Sequence, residues 1–207
     1  MRTIETDLDL ERLKSDCRRI QNKVTKTYTD DDIPTSRLYN EVLNSDLQTA
    51  PASSRFHDLY NVFLFPYDGI HELYEKVCLA FWDVNDDYEE PYYIHAWLNY
   101  QQKGESIPWH YHWKGLSGLD KTFVGTFYVN AEPSITTHEF TNGKVLERVN
   151  ENNTIVIYED KGDKHMVSAW DEDTPRISIS FDIVPMKYIQ GMPYVLNTWM
   201  PIDRKSV

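Results

Sequence analysis

Between Pro91 and Pro185 the chain breaks into seven short runs, at 92–101, 122–130, 134–140, 144–149, 153–159, 164–169 and 176–184, punctuated by Gly, Asn, Asp and Pro. Alternating runs of this length, seven in under a hundred residues, predict a β-sandwich or barrel. An aromatic content of 14% suits that reading, because wide flat side chains fill a pleated surface. The texture before Pro91 is different. Leu8, Leu10, Leu13, Cys17 and Ile20 recur at helical intervals and predict a surface helix within 5–25. Residues 28–56 read as loop with one short helix over 37–44. Ile70, Leu73, Val77, Ala80 and Phe81 form one apolar stripe of a helix within 68–87, expected to pack on a sheet. Helices first and strands after predict antiparallel sheets with helices braced on one side. The 207 residues are expected to form one domain: helical support and loops over 1–90, a β core over 91–185, and a tail over 186–207 that wraps back as coil.

Alternation assigns the faces of the two longest strands. In the last one Ile177, Ile179, Phe181 and Ile183 share a side, and Arg176, Ser178, Ser180 and Asp182 share the other. In 92–101 the residues His95, Trp97, Asn99 and Gln101 lie together. A core-facing surface would not gather Arg and two Ser, so the polar face is expected to line a wet cavity or solvent.

Charge narrows the partners. With 33 acidic against 21 basic residues the net charge is −12, which disfavours bulk nucleic acid and anionic membranes. The opening residues 1–7 carry no apolar stretch of a secretory leader, and no run of 18 apolar residues occurs. A cytoplasmic protein with Cys17 and Cys78 as free thiols is therefore expected. The sequon at Asn152 then has no role.

Of seven histidines, His110 and His112 stand out in Trp109-His110-Tyr111-His112. At i and i+2 of an extended segment they point the same way, with Cα atoms about 7 Å apart. Both imidazoles can then reach one ion at about 2.1 Å. A third donor must come from a distant strand, and His165 is the candidate. Such a pair by itself does not separate ligands from surface histidines. Eleven residues beyond His165 comes Arg176-Ile177-Ser178, a fixed cationic fork and a hydroxyl on one face, suited to a carboxylate. His57, His71 and His138 read as structural, and Asp163 and Asp182 as turn and solvent acids.

The order H-x-H, distant His, Arg-x-Ser resembles the 2-oxoglutarate- and iron(II)-dependent oxygenase superfamily, in a branch where H-x-H replaces H-x-D. Trp97-Leu98-Asn99-Tyr100, Gly125-Thr126-Phe127-Tyr128-Val129-Asn130 and His165-Met166-Val167-Ser168 add to the resemblance, which covers about residues 92–184. It implies a double-stranded β-helix, the jelly-roll fold also used by cupins. It implies iron(II) on His110, His112 and His165. It further implies 2-oxoglutarate on Arg176 and Ser178, with Asn99 and Tyr128 bordering it, and O2 as the oxidant. Tyr100 is a further candidate, and for Tyr100 and Tyr128 alike core or rim packing is the default among 14 tyrosines. Where a carboxylate is usual stands His112, so Glu139 remains an alternative ligand. Geometry favours His112, because Glu139 depends on a register that one residue's slip inverts. Two other classes compete: a cupin-type three-histidine dioxygenase or isomerase that takes no 2-oxoglutarate, and a metal-free jelly-roll binding module. The substrate, a small molecule or a protein side chain, and the oligomeric state stay open.

Overall fold

The computed structural model describes residues 1–33, 50–87, 89–112, 120–189 and 198–202. The helix expected over 37–44 lies outside them. Ten strands are present among the described residues: β1 (Arg2–Glu5), β2 (Tyr92–Gln101), β3 (Ile107–Tyr111), β4 (Phe123–Asn130), β5 (Ile135–Glu139), β6 (Val145–Val149), β7 (Thr154–Glu159), β8 (Lys164–Val167), β9 (Arg176–Pro185) and β10 (Met200–Ile202). Two long helices, α1 (Leu10–Thr27) and α2 (Asp68–Val84), precede most of them. The seven expected runs are β2 and β4 to β9, each within two residues at either end.

All pairings are antiparallel. The larger sheet runs β1-β7-β4-β9-β2-β10 and the smaller β3-β8-β5-β6. This is the double-stranded β-helix, with β2 and β9 as its longest pair, Tyr92 opposite Pro185 through Gln101 opposite Arg176. Two edge strands depart from expectation. β1 pairs with β7, and the tail, expected as coil, returns as β10 against β2. Both are three or four residues long and bonded on one side only, too short to show an alternation in sequence.

The outer face of the larger sheet is the core. Ile94, Ala96 and Leu98 of β2, Phe127 of β4, Ile155 and Ile157 of β7, and Ile177, Ile179, Phe181 and Ile183 of β9 are buried against the helices. α1 contributes Leu13, Cys17, Ile20 and Val24, and α2 contributes Ile70, Leu73, Val77 and Phe81. α1 starts where the Asp9 side chain accepts the Glu11 and Arg12 amides, satisfying donors the first turn leaves free. Burying one face of both helices leaves the sheet's other face free to build a site.

Gly125 is required by this packing. It lies opposite Phe181 across the β4–β9 ladder. A Cβ there would sit 2.3 Å from the Phe181 ring and 2.7 Å from the Val156 carbonyl oxygen. Gly125→Ala should therefore destabilise the chain by about 1–3 kcal/mol through overpacking. For a chain of this size that is about 2–4 °C in Tm per kcal/mol. An unchanged melting curve would contradict this account.

Candidate metal centre and anion pocket

The polar face of β9 lines the space between the sheets. Arg176, Ser178, Ser180 and Asp182 are all buried, and opposite them on β2 stand Gln101, Asn99, Trp97 and His95. On the other flank β4 sets Tyr128, Thr126 and Val124 against Ser178, Ser180 and Asp182. The smaller sheet closes the far side with His110, Thr136, His138, His165 and Val167. The cavity, open to solvent at one end, has a volume of about 150 Å³, the size of an engineered void that takes up benzene.

His110 on β3 lies directly opposite His165 on β8, and His138 on β5 lies opposite His165 from the other side. Directly opposed residues share a face, so all three imidazoles point inward. His112 follows just past the end of β3. The ring nitrogens of His110, His112 and His165 lie within 4.8 Å of one another, and no other group of three or more such donors forms among the described residues. Adjacent ligands of an octahedral ion stand about 3 Å apart, so small side-chain rotations would close the set on one ion.

Hydrogen bonds select the tautomers. His110 Nδ1–H donates to the Pro108 carbonyl at 2.9 Å, and His112 Nδ1–H donates to Asp182 Oδ1 at 2.6 Å. Each ring thereby keeps the lone pair on Nε2, and that of His112 is buried without any partner. Ligating histidines have this arrangement, one nitrogen on the metal and the other anchored to a carbonyl or carboxylate. Burial, reinforced by the neighbouring His112, brings His110 down to about 4. Burial together with the surrounding histidines puts His165 well below its ordinary value. Burial also pulls at His112, but the charge and hydrogen bond of Asp182 outweigh it and raise that ring. His110 and His165 are thus neutral donors at pH 7.

Glu139 is not in the cluster. It pairs with Lys164 across the β5–β8 ladder, on the outer face, and its carboxylate meets the Lys164 ammonium at 2.9 Å. The register that aims Glu139 outward aims His138 inward. His138, read from sequence as structural, is buried with its ring centroid 5.4 Å from that of His165, and burial lowers it to about 4. His57 likewise borders the cavity, 5.6 Å from the Trp97 ring, whereas His71 is exposed beside Glu75. Asp182, expected as a solvent acid, is only 8% exposed. The alternation that put Arg176 and Ser178 on the cavity face already included it. Asp163 accepts the Thr141 amide at a turn, as expected.

At the opposite end from Asp182, Arg176 is 1% exposed. Its Nε–H donates to Ser134 Oγ at 2.8 Å, and its Nη1 donates to Gln101 Oε1 at 2.6 Å and Ser178 Oγ at 3.0 Å. Ser134 is held in turn by Asn150, which accepts from Thr136. Among the described residues no carboxylate pairs with Arg176, and burial lowers it to about 10. The guanidinium lies over the Tyr128 ring, 5.9 Å from its centroid. Asn99 donates to Ser180 at 2.8 Å and accepts from Ser54 at 2.6 Å. Tyr100 instead points to the helix-side core. Gln101 and Ser134, the two side chains that aim Arg176, were not singled out from sequence. Gln101 shares its face with Asn99, but Ser134 precedes a strand and carries no such mark.

No helix among the described residues is long and apolar enough to cross a membrane. No protein-family model matches the chain, and no curated protein matches it by sequence. Solved structures do match. An oxidoreductase of the 2OG-Fe(II) oxygenase family from Burkholderia pseudomallei is 12% identical with a TM-score of 0.40, and the match covers 46% of each chain. A prolyl-4-hydroxylase from Pseudomonas putida is 12% identical with a TM-score of 0.45, over 88% of this chain and 87% of that one. The nickel complex of ThoJ, a non-heme monooxygenase, is 8% identical with a TM-score of 0.50, over 88% of this chain and 73% of that one. The likeness to ThoJ is one of fold: this chain is a double-stranded β-helix.

Proposed function

We propose that the cavity is the active site of an iron(II)- and 2-oxoglutarate-dependent oxygenase. His110, His112 and His165 would hold the iron, and Arg176 with Ser178 would hold the far carboxylate of 2-oxoglutarate. The observation that carries the reading is Arg176, a buried cation with only neutral partners among the described residues, in the same cavity as three converging imidazoles. A buried charge without a counter-charge is costly, and a bound carboxylate removes that cost.

Iron with O2 would supply the oxidation that converts 2-oxoglutarate to succinate and CO2 while hydroxylating a C–H bond. This chain's residues do the rest. Gln101 and Ser134 hold the Arg176 fork in one orientation. Tyr128 and Asn99 border the same ligand. Val124, Val156, Tyr158 and Ile107 dry the walls and strengthen the electrostatics inside. Partly exposed Arg55, His57 and Tyr111 rim the opening where substrate, a small molecule or a protein side chain, would enter.

A donor set of three imidazoles without a carboxylate also suits a cupin-type dioxygenase or isomerase that takes no 2-oxoglutarate. Anaerobic titration of the iron(II) protein with 2-oxoglutarate separates the two. Weak visible metal-to-ligand absorption, and succinate formation once air is admitted, are expected. Iron binding with neither response would favour the cupin-type reading. A purified chain that takes up no iron would leave a binding module.

A further inference from the structure

Asp182 is the one carboxylate among the residues that line the cavity, and it is bound to no cationic side chain of Lys or Arg among the described residues. Its Oδ1 accepts the Nδ1–H of His112 at 2.6 Å, with the two side chains 11% and 6% exposed. His110 and His165 are held face to face by the β3–β8 ladder. His112 lies one residue beyond the last paired position of β3, so no ladder aims its ring. The group that aims it comes from the other sheet. Asp182 ends the polar row of β9, fixed between His95 of β2 and Val124 of β4.

We propose that Asp182 is the positioning residue of the metal centre: through His112 it supplies the negative charge that a carboxylate ligand would supply directly. The inference rests on the reading that the three histidines hold a metal. Three neutral imidazoles alone leave a divalent ion with its full +2 charge in a dry cavity. A carboxylate one hydrogen bond away offsets part of it. It also makes Nε2 a stronger donor by drawing on the Nδ1 proton. The unpartnered, buried Nε2 of His112 is the atom so prepared.

Cobalt(II) titration, followed by its visible ligand-field bands and by zinc competition, tests this without 2-oxoglutarate or turnover. Asp182→Asn keeps the shape and removes the charge. It should weaken metal binding about ten- to a hundredfold, the usual effect of losing a ligand's outer partner. The cobalt bands should shift, while circular dichroism stays unchanged. In a His112→Ala background only the weak residual cobalt affinity of the two remaining donors is read. There the same substitution should change that affinity less than about twofold, because Asp182 acts on the metal only through His112 and the two effects do not add. A merely structural Asp182 would lower stability in both backgrounds and leave the cobalt bands in place. Should Asp182→Asn fail to fold, the wild-type chain loaded with zinc still decides. Its His112 Nδ1 proton should give a downfield, slowly exchanging resonance, and absence of that resonance overturns the proposal. Unchanged affinity in Asp182→Asn, or equal loss in both backgrounds, also overturns it. A wild-type chain that binds no cobalt sinks the metal reading along with it.

Discussion

His165→Ala is expected to abolish stoichiometric iron binding while leaving the fold intact. His165 stands in the middle of the smaller sheet's ladder, opposite both His110 and His138. It is the donor that ties His110 and His112 to β8, and its ring centroid is 4.3 Å from that of His110 and 5.0 Å from that of His112. With it gone the site keeps two donors, and the loss should exceed the ten- to hundredfold typical of an outer partner. The fold should survive because the main core lies on the other side of the larger sheet and contains none of these histidines. Burial of four close imidazoles is itself unfavourable to the apo chain, so removing one need not cost stability. His112→Ala should behave alike, and Glu139→Ala, outside on Lys164, should keep the metal. Metal content of the purified variants decides. Full iron in His165→Ala, or loss of iron in Glu139→Ala together with retention in His112→Ala, would refute the assignment.

Arg176→Lys should weaken 2-oxoglutarate binding at least tenfold with the metal retained. The guanidinium is positioned by three neutral oxygens from β2, β9 and the turn before β5. Lysine has neither the fork nor the reach to satisfy Ser134 and Gln101 together. Losing a buried, hydrogen-bonded charge partner typically costs about 2–5 kcal/mol, and tenfold in affinity is about 1.4. Titration calorimetry on the manganese(II)-loaded chain, where no turnover interferes, measures it. Equal affinity in wild type and variant would place the carboxylate elsewhere and turn the reading toward the cupin-type alternative. The variant should also melt lower, since Ser134 Oγ and Gln101 Oε1 lose their donor.

Local chemistry made some of this protein readable directly. Period-two alternation is a property of consecutive residues, so β2 and β9 and their faces follow from the chain itself. So does the row Arg176, Ser178, Ser180 and Asp182. The helical stripes of α1 and α2 follow in the same way. His110 and His112 do converge, but His112 lies just past the end of β3, where Asp182 rather than strand alternation holds its ring.

Register is not local. Whether His138 or Glu139 enters the cavity depends on how β5 meets β8, and a slip of one residue exchanges them. The ladder that sets His138 opposite His165 settled it. The role of Asp182 was hidden for a related reason. Its face was legible, but its partner, His112, comes from the other sheet, 70 residues away. Nothing in the sequence says that the two sheets approach closely there. Edge strands β1 and β10 escaped notice because three or four residues bonded on one side carry no pattern. What the sequence determined was which side chains share a face. Only the packing of one sheet on the other decided which faces meet, because that depends on contacts between segments far apart in the chain.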